Sequence, residues 1–508
     1  MLIASILAPI AQCYSLISAS EPANLTYARS LELGPSSLLG LLKDPKCPQA
    51  VTYFELGIQL YHVFWFDLAR TAFEQSVQES KLCATQFPMA GWGLALTAKM
   101  PIWHSEDVEF AQEVLSGPVM EGCTNAVEDT LIHAAKTYFA NGKSVQEREA
   151  AYAAEMKAIY LDHKDNADIS ALYGLSMLGL ASSAGPTVMD ETRTLLDGLE
   201  KQFPSHRGIL HYYVHAHDDP KYALSAVSGA LRLSALTKGS SHALHMQSHL
   251  FLGLGDFKHV YSANNDAVAA ADSFCAATKQ GPLCDLDNRY HALEWRQYSS
   301  LQMGNINVAM QDLSRVIDIT QDAEKLLEWK YRMYARQQIM QLDSDVAPFQ
   351  SDSLPTPMTM DTGVFWKAYS ESGALVAKTA RLAKKYKGDR LMLAEIRGEV
   401  EVRFQKLIGF KVADKYVAKL VEIDYYQARG MLAEGYGNPS LALQEFRRAA
   451  DLELGNIKVA DSPTLPVIPA LETLALFYQS IGSQNAEATW KLLHDKWNRN
   501  APPRKYNK

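Results

Sequence analysis

The chain has 508 residues, of which 47% are hydrophobic, 21% are charged and 10% are aromatic. This composition is typical of a globular protein. It excludes collagen-like, low-complexity and disordered chains, which need an excess of Gly and Pro or a shortage of apolar residues. At about 100–200 residues per domain, the length predicts roughly three domains or one elongated repeat array. The net charge is −8 and no polybasic run is present, so we expect no nucleic-acid partner, which would bind a basic surface.

The N-terminal segment has the pattern of a secretory signal peptide at 1–20. Residues 2–19 are apolar and uncharged and end in small residues, which predicts cleavage after Ser20 and export to the periplasm or the outside of the cell. A Lys or Arg before the apolar run is missing from this pattern. A membrane anchor is the alternative, but Pro9 and Gln12 interrupt the run, and a span needs about 20 continuous apolar residues. We therefore expect no membrane span in the mature protein.

Predicted helices follow one another along almost the whole chain. Apolar residues recur at intervals of three and four, between short breaks, and strand signals are almost absent. The helices are predicted near 51–64, 67–82, 87–100, 125–141, 145–162, 167–182, 187–203, 207–217, 220–236, 241–254, 257–273, 287–303, 306–319, 322–341, 364–386, 389–408, 413–434, 439–453, 467–481 and 484–496. A Pro- and Ser-rich linker at 342–362 separates N-terminal repeats at 47–341 from C-terminal repeats at 363–497.

Small and aromatic residues repeat at a fixed spacing within these helices. Two Gly–Ala–Phe sets share intervals of 12 and 4 residues: Gly57, Ala69 and Phe73, and Gly430, Ala442 and Phe446. This spacing is typical of the 34-residue tetratricopeptide repeat (TPR), in which Gly and Ala let two helices approach and Phe fills the space against the next pair. Weaker copies lie at 244–270 and 293–319. An irregular helical bundle is the alternative, but the recurrence favours an all-α, TPR-like α-solenoid of stacked antiparallel helix pairs.

The cysteines favour disulfides in an exported protein. The six stand at positions 13, 47, 83, 123, 275 and 284. Cys47 precedes one predicted helix and Cys83 follows its successor, and in an antiparallel pair those two ends lie side by side. Cys275 and Cys284 flank a loop that a bridge would close. The alternative is a set of reduced thiols, as in a cytosolic protein. Cys13 leaves with the predicted signal peptide, and Cys123 is left over.

Several segments resemble a family of bacterial, usually exported TPR-repeat proteins. They are YFELGIQLYHVFWFDLARTAFEQSV with the following KLC and MAGWGLALT, then FPSHRGILHYYVHAHDDPKYA, SHALHMQSHLFLGLGDF, YHALEWRQYSSLQMG and the closing LLHDKW. The resemblance extends with gaps from about 47 to 497, and it implies that Cys47 and Cys83 are a shared pair. The chain departs from the family at Gln247, where Pro is typical, and in lacking a Pro after Trp103 and His104. The resemblance implies a fold and export, and no activity.

Histidines are concentrated in one part of the chain. Nine of the fourteen lie between 206 and 291, at positions 206, 211, 215, 217, 242, 245, 249, 259 and 291. His211 and His215 are four residues apart and share one helix face. The next helix carries a single stripe of histidines with spacings of three and four, formed by His242, His245 and His249. His291 lies on a third helix, one turn before Glu294.

These three helices alternate with two others, so in a TPR array they would be neighbours on the concave surface. Packed helices lie about 8–10 Å apart, which lets imidazoles from adjacent helices reach a common point. Three neutral imidazole nitrogens with one open position are typical of a transition-metal centre. We therefore predict a copper, iron, zinc or manganese ion. Glu294, Asp218 or Asp219 would supply a carboxylate, either as a ligand or as a hydrogen-bond acceptor that orients a histidine.

Other roles for the histidines stay open. With Tyr212 and Tyr213 they could line a metal-free groove for an anionic or peptide ligand, or they could be buried groups hydrogen-bonded for structural reasons. We assign His206, His217 and His259 to structural or surface roles. His104 is a further candidate metal residue, because the resemblance implies that it lies near the site.

Two functions are consistent with this pattern. The first is a binding protein whose concave groove holds a transition metal with a small-molecule or peptide ligand, with a protein partner as a further candidate. TPR arrays are mostly binding scaffolds, which favours it. The second is a metal-dependent oxidoreductase, oxygenase or hydrolase that uses the same histidines, with Glu294 or Asp219 as its acid or base. A pure scaffold is a third possibility. Sequence patterns for P-loop, dinucleotide-binding, α/β-hydrolase and HExxH zinc sites are absent.

Overall fold

The computed structural model describes residues 22–43, 46–83, 86–102, 105–122, 124–319, several positions between 326 and 337, 364–409, 415–457 and 468–496. The predicted signal peptide and linker, His104 and Cys123 lie outside the described residues.

The described chain is almost entirely α-helical, which confirms the all-α prediction. The helices of its first part are α1 (Ala23–Ser30), α2 (Pro48–His62), α3 (Phe66–Ser80), α4 (Pro88–Leu96), α5 (Val108–Ser116), α6 (Ala126–Tyr138), α7 (Val145–Asp162) and α8 (Ala167–Ala184). Short 3-10 helices lie at Ser37–Leu41 and Pro118–Glu121, and a two-residue β1 (Lys99–Met100) pairs antiparallel with β2 (Ser105–Glu106). The sequence patterns missed α1, α5 and these short elements.

The remaining helices continue the series. They are α9 (Pro186–Gln202), α10 (Arg207–Ala216), α11 (Ala223–Leu236), α12 (Ser241–Gly253), α13 (Phe257–Ala277), α14 (Leu286–Gln302), α15 (Ile306–Ile317), α16 (Val364–Lys385), α17 (Arg390–Gly409), α18 (Lys415–Gly435), α19 (Pro439–Asn456), α20 (Ala470–Ser480) and α21 (Asn485–Lys496). Most bounds lie within a few residues of the predicted ones, because the apolar periodicity that defines each helix is strong.

Local sequence signals fix the ends of the helices that carry the histidines. The ring of His206 caps α10, because its Nδ1 accepts a hydrogen bond from the backbone N–H of Ile209 (3.2 Å). The hydroxyl of Ser240 caps α12 in the same way. After α12, Gly255 adopts φ +67°, a conformation that favours glycine, and the chain turns there into α13.

Consecutive helices pack against each other in adjacent pairs, and alternate helices also touch. The alternate contacts include α8 with α10, α10 with α12, and α12 with α14. The three helices that carry the histidine cluster are therefore neighbours, as predicted. A further contact joins α2 to α10, which are far apart in the chain. This contact brings the turn after α2 against the first histidine-bearing helix.

The buried apolar side chains form separate cores in the two parts of the chain. The largest cluster runs from Leu25 to Cys284, and another contains only residues between Leu375 and Leu493. Two cysteine pairs lie at disulfide distance in the first part, Cys47 with Cys83 and Cys275 with Cys284, with Cα–Cα separations of 5.7 and 5.8 Å. Among the described helices, none combines the length and apolar character that crossing a bilayer requires.

The predicted glycine–phenylalanine packing is present in both cores. The ring of Phe73 lies against Gly57, where an added Cβ would come within 2.6 Å of the ring, and Phe446 lies against Gly430. We expect Gly57→Ala to lower the free energy of unfolding by about 1–3 kcal/mol, because the buried ring has no space to move into. Urea denaturation monitored by circular dichroism measures this change. The control is Gly198→Ala on α9, where an added Cβ meets nothing within 4 Å; it should be neutral or stabilising.

Candidate metal centre

Six histidines from α10, α12 and α14 lie together in two groups of three. The first group, triad A, is His211, His215 and His242; the second, triad B, is His245, His249 and His291. Within each triad, one nitrogen from each ring lies within 4.8 Å of the other two. Both groups could therefore hold a metal ion. All the predicted metal residues except His104, which lies outside the described residues, are brought together.

In triad A, the orientation of His211 is set by the turn after α2. Its Nδ1–H donates a hydrogen bond to the backbone carbonyl of His62 (2.8 Å). Its Nε2 therefore carries a lone pair, and this atom lies 3.2 Å from Nε2 of His242. The side chain of Asn288 on α14 hydrogen-bonds to His242. Partners of this kind fix the tautomer and angle of a ligand histidine.

The same turn places an aromatic ring on triad A. Phe64 has φ +55°, in the left-handed region that bulky residues rarely adopt. Its ring centroid lies 4.3 Å from that of His211, 5.5 Å from that of His215 and 5.7 Å from that of His242. Backbone strain of this kind costs about 1–3 kcal/mol and clusters at functional sites. The sequence analysis missed Phe64, because its role depends on the contact between α2 and α10.

In triad B, two rings are held with their Nε2 atoms facing each other. His245 donates its Nδ1–H to the side-chain oxygen of Asn264 (2.6 Å), whose amide group is oriented by a bond to the carbonyl of Val260. His249 donates its Nδ1–H to the carboxylate of Asp218 (2.6 Å). The two Nε2 atoms, each with a lone pair, lie 2.9 Å apart.

Two facing acceptor nitrogens repel each other unless a cation relieves the repulsion. That cation is either a metal ion or an extra proton on one ring. Two nitrogens bound to one ion at about 2.0–2.1 Å each lie about 2.9 Å apart at a right angle and about 3.3 Å apart at the tetrahedral angle. The Nε2 separations of 2.9 Å in triad B and 3.2 Å in triad A fall within this range.

Tryptophan rings complete the surroundings of triad B. The buried ring of Trp295 lies with its centroid 4.7 Å from that of His245 and 4.6 Å from that of His249. His291, one turn before Trp295 on α14, also lies 5.8 Å from the Trp329 ring. These rings keep the surroundings apolar, which limits the access of water to the imidazoles.

Burial keeps the imidazoles in the neutral form that binds metal. Desolvation lowers the pKa of His211 to about 3, against the smaller opposite effect of its bond to the His62 carbonyl. The pKa values of His215, His242, His245 and His291 also lie well below the usual value, first because of desolvation and then because of repulsion from neighbouring histidines. These rings therefore do not need to lose a proton at neutral pH before they coordinate an ion.

The carboxylate that contacts the cluster is Asp218. Asp219, predicted as an acid or base, is exposed and its carboxylate accepts a hydrogen bond from the backbone N–H of Lys221 (2.8 Å). Glu294 is fully buried and forms ion pairs with Arg332 (2.9 Å) and with Arg336. Oδ1 of Asp219 and Oε1 of Glu294 are therefore engaged by groups other than the histidines. Asp218 was one of the three predicted alternatives, and it orients His249.

A third group, His62, Asp168 and His206, also has the spacing of a metal site. Here the nitrogen atoms are already used. The Nδ1 of His62 accepts from the hydroxyl of Tyr212 (2.9 Å), and the Nδ1 of His206 accepts from the N–H of Ile209. Both Nε2–H groups therefore donate to Asp168, at 2.9 and 3.1 Å. Since no lone pair is left for an ion, this group is a hydrogen-bonded structural network that joins α2, α8 and α10.

The histidines assigned to structural or surface roles lie outside the two triads. Buried His217 donates Nδ1–H to the carbonyl of Tyr213 (2.8 Å) and lies 3.2 Å from the carboxylate of Asp197. His259 is exposed and contacts Asp256. His62, which the sequence analysis did not consider, acts on the site through its backbone carbonyl.

No protein-family model matches the chain, and no curated protein matches it. The function must therefore be inferred from the chemistry of the site.

Proposed function

We propose that the chain is an exported, TPR-like α-solenoid that binds a transition metal, together with a small molecule or peptide, through the six histidines of triads A and B. The packing of consecutive and alternate helices supports the solenoid, as do the contacts of Phe73 with Gly57 and of Phe446 with Gly430. The two cysteine pairs at disulfide distance support export, because disulfides persist in oxidising compartments.

The observation that carries the metal proposal is the contact between His245 and His249. Both Nδ1–H groups are donated to side-chain oxygens, and both lone pairs converge at 2.9 Å. A neutral structural histidine pair would instead place a donor against an acceptor, as the network around Asp168 does. The arrangement in triad B therefore favours a bound cation over structural hydrogen bonding.

The donor atoms favour copper or zinc among the four candidate metals. Imidazole suits copper, zinc, iron and nickel, whereas manganese prefers carboxylate and water oxygens. Among the described residues, the carboxylate that hydrogen-bonds to a ring of the cluster is Asp218, and it leaves the metal-binding nitrogen of His249 to the ion. This is the carboxylate–histidine arrangement that raises the basicity of a metal ligand.

A metal-dependent enzyme is the second candidate, and the number of ligands favours it. Three histidines leave a fourth position for water or substrate, as in catalytic sites. A ligand of a binding protein would occupy the same position. Turnover with a test substrate would separate the two. Asp218 would orient His249, as one of the predicted carboxylate acceptors, and the acid or base role predicted for Asp219 or Glu294 stays a prediction.

Elemental analysis of the exported, tag-free, full-length protein tests the metal proposal. We expect at least one equivalent of copper or zinc per chain. His249→Ala should weaken binding by more than the roughly 10–100-fold expected for Asp218→Asn, because it removes a ligand rather than the partner of a ligand. Competition with a chelator of known affinity measures both.

The matched control is His259→Ala, which removes an exposed histidine on the neighbouring α13. It should retain the metal, and all three variants should keep the helical circular dichroism signal. A wild-type protein that is metal-free and takes up no added copper or zinc at neutral pH would contradict the proposal; triad B would then share a proton.

A further inference from the structure

Triads A and B lie against each other along one helix. His242 of triad A and His245 of triad B are three residues apart on α12, and their ring centroids are 6.4 Å apart. Across from them, His215 of triad A lies 6.1 Å from His249 of triad B. These separations are similar to the largest ones within each triad, 6.2 Å for His215 with His242 and 6.5 Å for His249 with His291.

The six rings therefore form one continuous group. Rings of different triads lie as close to each other as the more distant rings within one triad do. Two separate mononuclear sites would have protein between them, whereas ring contacts connect the triads directly on both sides, through α12 and between α10 and α12.

Each triad has its own means of orienting its ligands. The carbonyl of His62 and the side chain of Asn288 act on triad A. Asn264 and Asp218 act on triad B. These partners come from different elements, so the ligands of each triad are oriented by separate groups.

From this geometry we infer that triads A and B form a single dinuclear centre that takes two copper ions, one held by three histidines from each triad. The inference rests on the proposed metal-binding function and specifies the number and kind of ions. Six imidazoles with no carboxylate donor suit copper, which also binds nitrogen sites most strongly among the divalent first-row metals. Paired sites for iron or manganese in helical proteins are built from Glu and His together.

The test is copper loading of the full-length, tag-free protein, measured by elemental analysis and by electron paramagnetic resonance of the same oxidised sample. We expect two equivalents of copper per chain. Because two Cu(II) ions held this close interact magnetically, the spectrum should be broadened or reduced in spin count compared with two isolated ions.

Two variants separate the halves of the centre. His211→Ala removes a ligand of triad A and His291→Ala removes a ligand of triad B. Each should halve the copper content to about one equivalent and restore the sharp spectrum of an isolated Cu(II) ion with full spin count. His259→Ala is the control and should retain two equivalents with the interacting spectrum.

Every outcome for the wild-type protein decides the inference, even where a variant fails to fold. One equivalent of copper would overturn the dinuclear centre and leave the proposed metal-binding function intact. Two equivalents with the spectrum of isolated ions would overturn it in favour of two separate sites. Two equivalents of zinc with copper excluded would overturn the choice of metal. Absence of any bound metal would contradict both the inference and the proposed function.

Discussion

Asp168→Asn should lower the free energy of unfolding by about 3–5 kcal/mol, the cost of breaking a buried charged network by removing one partner. The carboxylate of Asp168 accepts hydrogen bonds from the rings of His62 and His206, and on its other oxygen from the hydroxyls of Ser36 and Ser37 and the N–H of Leu38. An amide in the same place would turn an N–H group towards these donors, so several would lose their acceptor.

The effect of Asp168→Asn depends on pH in a defined direction. Burial alone would raise the pKa of Asp168, but the hydrogen bonds from His206 and His62 outweigh it and hold the pKa well below the usual value. An acid with a lowered folded-state pKa contributes stability above its unfolded pKa, about 3.9, and loses it as the pH falls. The contribution of the ionised carboxylate to the difference in unfolding free energy between wild type and variant should therefore be full at pH 7 and decrease as the pH falls below 4.

Urea denaturation at pH 7 and at pH 3.5 measures this gap. The matched control is Asp165→Asn in the turn before α8, where the side chain is exposed and the change should stay within about 0.5 kcal/mol. An Asp168→Asn protein as stable as wild type at pH 7 would show that the network around Asp168 carries no net stability.

In contrast to Asp168→Asn, Asp424→Asn should raise the free energy of unfolding and so stabilise the C-terminal core. Asp424 is buried in α18, and burial raises its pKa to about 7, against the hydrogen bond from the hydroxyl of Ser372 (2.6 Å). At 1.36 kcal/mol per pKa unit, three units correspond to a cost of up to about 4 kcal/mol for keeping the carboxyl ionised in the folded state. The neutral amide avoids this cost and retains an oxygen that can accept from Ser372.

The stabilisation by Asp424→Asn should appear only as the pH rises. An acid with a raised folded-state pKa does not lower the free energy of unfolding below its unfolded pKa of about 3.9. Between this pH and pH 7 it lowers that free energy increasingly, and above pH 7 by a constant amount. Thermal denaturation should therefore show a small difference in stability between wild type and Asp424→Asn at pH 4.5 and the full difference at pH 8. The control is exposed Asp451→Asn on α19. An equal effect at both pH values would contradict the assignment to ionisation of Asp424.

The sequence predicted the local parts of the candidate site. Spacings of three and four on one helix place side chains on one face whatever the tertiary structure, so His211 with His215 and the stripe containing His245 could be identified from the sequence alone. The order of the helices also predicted that α10, α12 and α14 are neighbours. Local periodicity and simple repeat order carry this information.

What the sequence did not predict depends on contacts between distant elements. His62 and Phe64 contact triad A because α2 packs against α10, and no local sequence pattern predicts that packing. Asn264 is one polar residue among several on α13, and only the packing of that helix against α12 selects it as the partner of His245. The sequence could not decide whether Asp218 or Asp219 contacts the histidines, because the answer depends on the direction that the chain takes after α10.

The proposed metal ligands and the groups that orient them extend along the chain from the turn at His62 to His291 on α14. Synthesis delivers the N-terminal end first, so α2 can fold long before α14 is available. Triad B is completed only when α14 docks on α12, and triad A is oriented only when α10 meets the turn after α2. Under the proposed function, metal uptake would therefore follow the folding of the N-terminal part, and a bound ion would indicate a chain in which that part has finished folding.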